Sequence, residues 1–156
     1  MRDHQFAVSV EWEGNLGTGT SGYKDYSRDT RVTAAHKEDL VGSADKTFHG
    51  DESRWNPEEL LIAALSQCHL LSFLHVAASA GVVVESYGDD ATGTLAVTGE
   101  GGGNMVAVIL RPRITISQGD VDAVPLLHQR ASELCFIANS VNFPVLHEPV
   151  TVKVSQ

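Results

Sequence analysis

Basic side chains are in short supply. Lysine and arginine together number 11, against 20 aspartates and glutamates, for a formal charge of -9. A surface of that sign repels phosphate backbones and anionic headgroups, so neither nucleic acid nor a membrane is expected as a partner. Cysteine is scarcer still, at 2 in 156 residues. The opening Met1-Arg2-Asp3-His4-Gln5 leads into alternating residues rather than an apolar run, so no secretory signal is expected. A cytoplasmic chain with two cysteines is not expected to carry a lasting structural disulfide. Internal repeats, linkers, low-complexity segments and a nucleophile-elbow pattern are all missing, and no carboxylate pair stands out for acid–base work.

What is present suffices for a single domain over 1–156 with a real core. The chain is organised around Asn56 to Gly81, which reads as one long helix. Asn56 is a plausible cap, Pro57 suits a first turn, Glu58 and Glu59 suit the positive end of the dipole, and Gly81 is a plausible stop. Leu60 to Ala80 is long enough to cross a bilayer, but it carries Ser66, Gln67, His69, Ser72, His75 and Ser79 and lacks basic flanks, so a core helix buried on most sides is predicted. One stripe differs. Cys68, Ser72, His75 and Ser79 follow steps of four, three and four, which places a thiol mid-helix on the semi-polar side.

Before this helix, Phe6, Val8, Val10 and Trp12 alternate with smaller or charged residues and predict a half-buried strand. Gly17-Thr18-Gly19-Thr20-Ser21-Gly22 has the G-x-G-x-x-G spacing of a dinucleotide loop, which requires a helix next. Residues 23–28 and 31–33 read as strands instead, so a flexible connection is expected. Leu40-Val41 closes a short strand, and 42–55 is a loop placed to lie over a site. After the helix come strands at Val82–Glu85 and Thr92–Thr98 and a hairpin at 99–104. A long strand, Met105–Ser117, follows, with Val106, Val108, Leu110, Ile114 and Ile116 inward and Pro112 marking an edge or bulge. A second helix is expected from about Val121 to Ala138, capped by Asp120, then a last strand through Val150, Val152 and Val154. The order predicts an α+β fold with largely antiparallel strands.

Cys68 is the first candidate for chemistry. A lone buried cysteine is commonly inert, but this one shares the chain with Cys135 near the end of the other helix, and arginines are available in strands and loops. A reactive thiol must ionise. Mid-helix it gains little from the dipole, so it needs a cation, and arginine stays charged in a dry site. The dipole at Cys135 disfavours a thiolate. If both take part, Cys68 attacks first and Cys135 resolves. A metal site is a poor reading: Cys68 and His75 lie roughly 10.5 Å apart along the helix and cannot share an ion. Cys68 and His69 point about 100° apart. His69, His75 and His128 are expected as hydrogen-bonded core or interface residues.

Asn-Pro-Glu-Glu-Leu-Leu followed by Ala-Ala-Leu-Ser-Gln-Cys-His, with Cys135-Phe136-Ile137-Ala138-Asn139-Ser140-Val141, resembles the OsmC/Ohr family of osmotically inducible and organic hydroperoxide resistance proteins. The resemblance covers nearly the whole chain. Tyr26-Ser27-Arg28 stands where that family places its active-site arginine. After Cys135 many members have proline and this chain has Phe136, which suggests a branch nearer OsmC than Ohr. The resemblance implies an intertwined homodimer acting as a thiol peroxidase on organic hydroperoxides in the oxidative-stress response, with no cofactor. Cys68 is then the peroxidatic thiol, Cys135 the resolving thiol, Arg28 the thiolate activator and Glu58 its orienting partner, and a lipoyl-type or thioredoxin-like dithiol restores the enzyme. Leu71, Phe73 and Leu74 are candidate walls for an apolar substrate. A non-catalytic dimeric protein of the same fold, binding an apolar small molecule, is the alternative.

Glu58 and Cys68 are ten residues apart on one predicted helix with no Gly or Pro between Leu60 and Gln67. That is about 15 Å along the axis, too far for one guanidinium to serve both, so the site is expected to draw Glu58 and Arg28 from a second chain.

Overall fold

A computed structural model describes residues 2–154. They form two compact units, the first ending at Leu60 and the second beginning at Leu61.

The first unit is an antiparallel sheet in the order β1 (Ser9–Trp12), β2 (Thr30–Thr33), β3 (Leu40–Gly42). Val10 faces Val32 and Val32 faces Leu40, so one face carries an apolar row. The expected alternation in β1 is there, but the half-buried strand is not. Only four residues pair, and Phe6, Val8 and Val10 are 93, 67 and 62% exposed. Alternation selects a face, and no layer of this unit covers it. The strand expected over 23–28 is also replaced, by turns. Asn15 Oδ1 accepts from the N–H groups of Gly17 and Gly19, both at positive φ, and the Tyr23 and Tyr26 carbonyls accept from Arg28 rather than from a neighbouring strand. No helix follows the glycine motif, which leaves it a connection.

Helix α1 (Pro57–Ser79) begins where expected and runs unbroken. Asn56 Oδ1 accepts from Glu59 N at 2.8 Å and Glu59 Oε2 accepts from Asn56 N at 3.4 Å, a reciprocal cap worth about 1 kcal/mol. Gly81, at φ 73°, ends it. In the second unit α1 contributes Phe73, Val76 and Ala77 to one cluster, with Ile114, Ile116, Val124 and Ala131, and Leu65 to another, with Met105, Val108 and Leu110. The apolar surface is not consumed all round, however: Leu71 is 59% exposed.

Two three-stranded sheets complete this unit, β4 (Val83–Asp89) with β7 (Pro112–Gln118) and β9 (Val150–Lys153), and β5 (Thr92–Val97) with β6 (Gly103–Leu110) and β8 (Val145–His147). The single strand expected over 105–117 is two strands in different sheets. Pro112 has no N–H, and the Arg111 N–H donates to Asp89 Oδ1 at 2.6 Å instead of to a ladder. Val106 is exposed and Met105 buried, the reverse of expectation, because a register shift at Thr94/Leu95 changes the phase of the pleat. The pairs β6–β8 and β7–β9 are parallel, alongside the antiparallel β4–β7 and β5–β6. Three-residue β8 is too short to show alternation.

Helix α2 (Val124–Leu134) is shorter than predicted. Asp120 caps a 3₁₀ turn at Val121–Ala123, and Pro125 sits in the first turn of the helix proper. The far end tightens through a bond from Cys135 N to Ser132 O, and Cys135 is extended at φ -73°, ψ 107°. The cysteine therefore lies just past the helix rather than inside it.

Candidate active site: two neighbouring thiols

The second unit brings the two cysteines together. Cys68 is half-buried on the semi-polar stripe of α1, and Cys135 is fully buried beyond α2. Cys68 is close enough to act on the ionisation of Cys135, and both are free thiols. Burial, and then the Cys68 thiol beside it, push Cys135 up to about 11, against a weak donation from the Ala138 N–H at 3.5 Å. Cys135 is therefore a protonated thiol at neutral pH, a poor first nucleophile and a suitable second one. Along the rest of the stripe Ser72 is half-buried and Ser79 is open to solvent, and so is His75, which is not the core residue expected, because the last turns of α1 turn that side away from the core.

Arg28 belongs to the first unit. It donates to the Tyr23 and Tyr26 carbonyls, and its guanidinium lies 4.6 and 4.1 Å from the centroids of those two rings. The alternative arginines are committed elsewhere. Arg31 pairs with Glu13 and Asp39, and Arg54 with Asp29 and Asp51. Among the described residues Arg28 has no carboxylate partner, and no ion pair joins it to Glu58, which is half-buried in the first turn of α1. Arg28 lies in the wall of a cavity of about 490 Å³ whose other walls include Val10, Trp12, Val32, Trp55 and Leu60. One cation in an apolar pocket suits a molecule with an apolar body and a polar head. The two tryptophans were not anticipated as wall residues. Trp12 carried the alternation signal of β1, but nothing local marked Trp55.

Phe73 is not a substrate wall, as the sequence had suggested. It is fully buried and stacks on His128 with centroids 4.1 Å apart. His69 and His128 are hydrogen-bonded core residues, Nε2 to Nδ1 at 3.0 Å, and His147 stacks on His69 at 4.4 Å. Burial first, then the neighbouring histidines, lower His69 to about 3; burial and His147 lower His128 to about 4. Burial lowers His147 as well, with Asp89 opposing. All three rings are neutral at pH 7. Among the described residues no three His, Cys, Asp or Glu side chains are grouped to hold a metal ion.

A model of the OsmC-like protein family matches residues 50–149, a span that includes both cysteines. The chain belongs to the OsmC-like family. An OsmC-like protein of unknown function from Vibrio cholerae is 31% identical, with 95% of this chain and 100% of that one covered and a TM-score of 0.85. The uncharacterized protein YmaD of Bacillus subtilis is 26% identical over 148 residues, 90% of this chain and 89% of that protein. An organic hydroperoxide resistance protein OsmC from Legionella pneumophila is 19% identical with a TM-score of 0.69, covering 99% of this chain and 100% of that one, which shows a shared fold. The α+β architecture with antiparallel pairs and two helices is thus the OsmC-like fold. Within it, this OsmC-like chain carries His69 beside Cys68 on α1 and His128 on α2, the helix that Cys135 follows.

Proposed function

We propose that this OsmC-like protein is a thiol peroxidase that reduces organic hydroperoxides to alcohols. The observation that carries the reading is the pair of neighbouring free thiols, one half-open on α1 and one buried and held protonated. The Cys68 thiolate attacks the O–O bond of ROOH. That bond breaks, the alcohol leaves with a proton, and sulfur is oxidised by two electrons to sulfenic acid. The Cys135 thiol condenses with it, releasing water and forming the disulfide, which an external dithiol of lipoyl or thioredoxin type reduces. A reducing cytoplasm would supply such a donor. The apolar cavity at Arg28 favours an organic substrate over hydrogen peroxide. That cavity is also what favours the second reading, a non-catalytic protein that binds an apolar molecule. The two are separated by following peroxide consumption with a dithiol, cumene hydroperoxide against hydrogen peroxide, and by mapping the products with mass spectrometry after alkylation. The peroxidase consumes cumene hydroperoxide faster and yields an intrachain Cys68–Cys135 peptide pair. Binding of cumyl alcohol without any consumption would support the second reading, and a Cys68–Cys68 link between chains as sole product would remove the resolving role.

The working enzyme in this proposal is a homodimer in which Arg28 and Glu58 of one chain serve Cys68 of the other. Support comes from the unbroken α1 and from apolar side chains that a second copy would cover, Phe6, Val8 and Val10 on one unit and Leu71 on the other. Mixing Cys68→Ser with Arg28→Ala subunits then restores part of the activity that each variant lacks alone. Verified heterodimers without recovery, or an active monomer in sedimentation, would argue for sites built from one chain.

A further inference from the structure

The peroxidase chemistry leaves the His69–His128 bond without a use. His69 follows Cys68 directly on α1, and His128 lies on α2, seven residues before Cys135, which stands just past the end of that helix. Their rings are 1 and 2% exposed and joined at 3.0 Å. The bond is not the cheapest way to fill this space. His69 Nδ1 and His128 Nε2 have no hydrogen-bond partner, and each such buried nitrogen costs about 1–3 kcal/mol. Two apolar side chains of similar volume would pack between the helices without that cost. What they would not do is define one position of α2 against α1, because dispersion contacts tolerate sliding and a hydrogen bond between two buried rings does not. Phe73 on α1 and the 4.1 Å stack it makes on His128 limit the ring further.

We propose that His69 and His128 are positioning residues that hold Cys135 in line with Cys68 for the disulfide-forming step. The inference rests on the peroxidase reading only for the step's biological use; the geometry itself concerns two thiols. Neither histidine touches the reacting sulfurs in this role. Each acts through its helix, and the step asks for sulfur on sulfur at bonding range, where a displacement of about 1 Å costs roughly 100-fold. Oxidation of Cys68 needs no such alignment and is left alone.

Three variants separate the bond from general packing: His128→Leu removes it, His128→Asn puts an amide atom where Nδ1 stood and can pair with His69 Nε2, and His147→Phe preserves the stack on His69 without touching the bond. Stopped-flow with cumene hydroperoxide gives the rate of Cys68 sulfenic acid formation, which also certifies folding, and the rate of its conversion to disulfide. The equilibrium between thiols and the Cys68–Cys135 disulfide against a glutathione series measures the same alignment without any peroxide. His128→Leu is expected to keep the first rate, slow the second roughly 10- to 100-fold, and lower the glutathione equilibrium constant by a similar factor. His128→Asn and His147→Phe stay within about threefold of the parent in both. A His128→Leu protein with parental resolution rate and equilibrium overturns the proposal, and so does an equal loss in His147→Phe, which would assign the effect to packing. Failure of the parent protein to form sulfenic acid while the glutathione equilibrium still separates the variants would sink the peroxidase reading and leave the positioning role standing.

Discussion

Cys68→Ser removes hydroperoxide turnover, and Cys135→Ser stops after a single event. The asymmetry follows from two environments. Cys68 is half-open; Cys135 is fully buried and pushed up to about 11. A serine hydroxyl at 68 neither ionises at neutral pH nor accepts oxygen, so the loss is at least about three orders of magnitude. At 135 the substitution leaves the first step intact and deprives the sulfenic acid of its partner. One equivalent of alcohol is then released per active thiol, and a dimedone adduct at Cys68 persists, with no disulfide by mass spectrometry. Equal single-turnover yields from the two variants would reverse or dissolve the assigned roles.

Acid weakens the fold before its carboxylates titrate. His69, His128 and His147 are held neutral, with folded values of about 3 and about 4 for the first two, against an ordinary 6.5. Between these values and 6.5 the unfolded chain binds more protons than the folded one. Stability is therefore full above pH 6.5 and declines as pH falls below it, by up to about 1.4 kcal/mol per pH unit for each histidine. Glu13, held low mainly by its bond to Arg31, and Asp45 and Asp51, held low by Thr47 and Ser53, act the other way round. Their contribution is present above the ordinary carboxylate range and is lost only below it. The window from pH 6.5 to 5 thus belongs to the histidines. Urea midpoints across it are expected to report a loss of roughly 2 to 4 kcal/mol between pH 7 and 5. His128→Gln, which has no group to titrate there, flattens the slope by about a third. A parental midpoint independent of pH over that range would mean that the buried rings accept protons without opening the core.

Much of the local architecture was legible because it rests on short-range rules. Asn56, Pro57, Glu59 and Gly81 bound α1, and each does so through a contact within a few residues. The stripe through Cys68 is helical arithmetic, and the bonded core histidines follow from their apolar neighbours. The segment from Cys135 to Ala138 was read incorrectly as helix, since the stop after Leu134 depends on a tightened last turn that no glycine announces.

What remained hidden is long-range. That Arg111 leaves the ladder for Asp89, splitting one apparent strand between two sheets, is a contact across 22 residues. That Phe73 faces His128 rather than a substrate is decided by where α2 packs. Sequence alone determined the helix, the thiols, the acidic surface and the family likeness, because periodicity, capping and motif spacing are encoded by neighbours along the chain. Tertiary structure alone decided that the two thiols are neighbours, that burial keeps Cys135 protonated, that Arg31 and Arg54 are spent on carboxylates, and that His69 and His128 are buried neutral. Proximity, desolvation and the choice of ion-pair partner are properties of packing, and they have no value until distant segments are brought together.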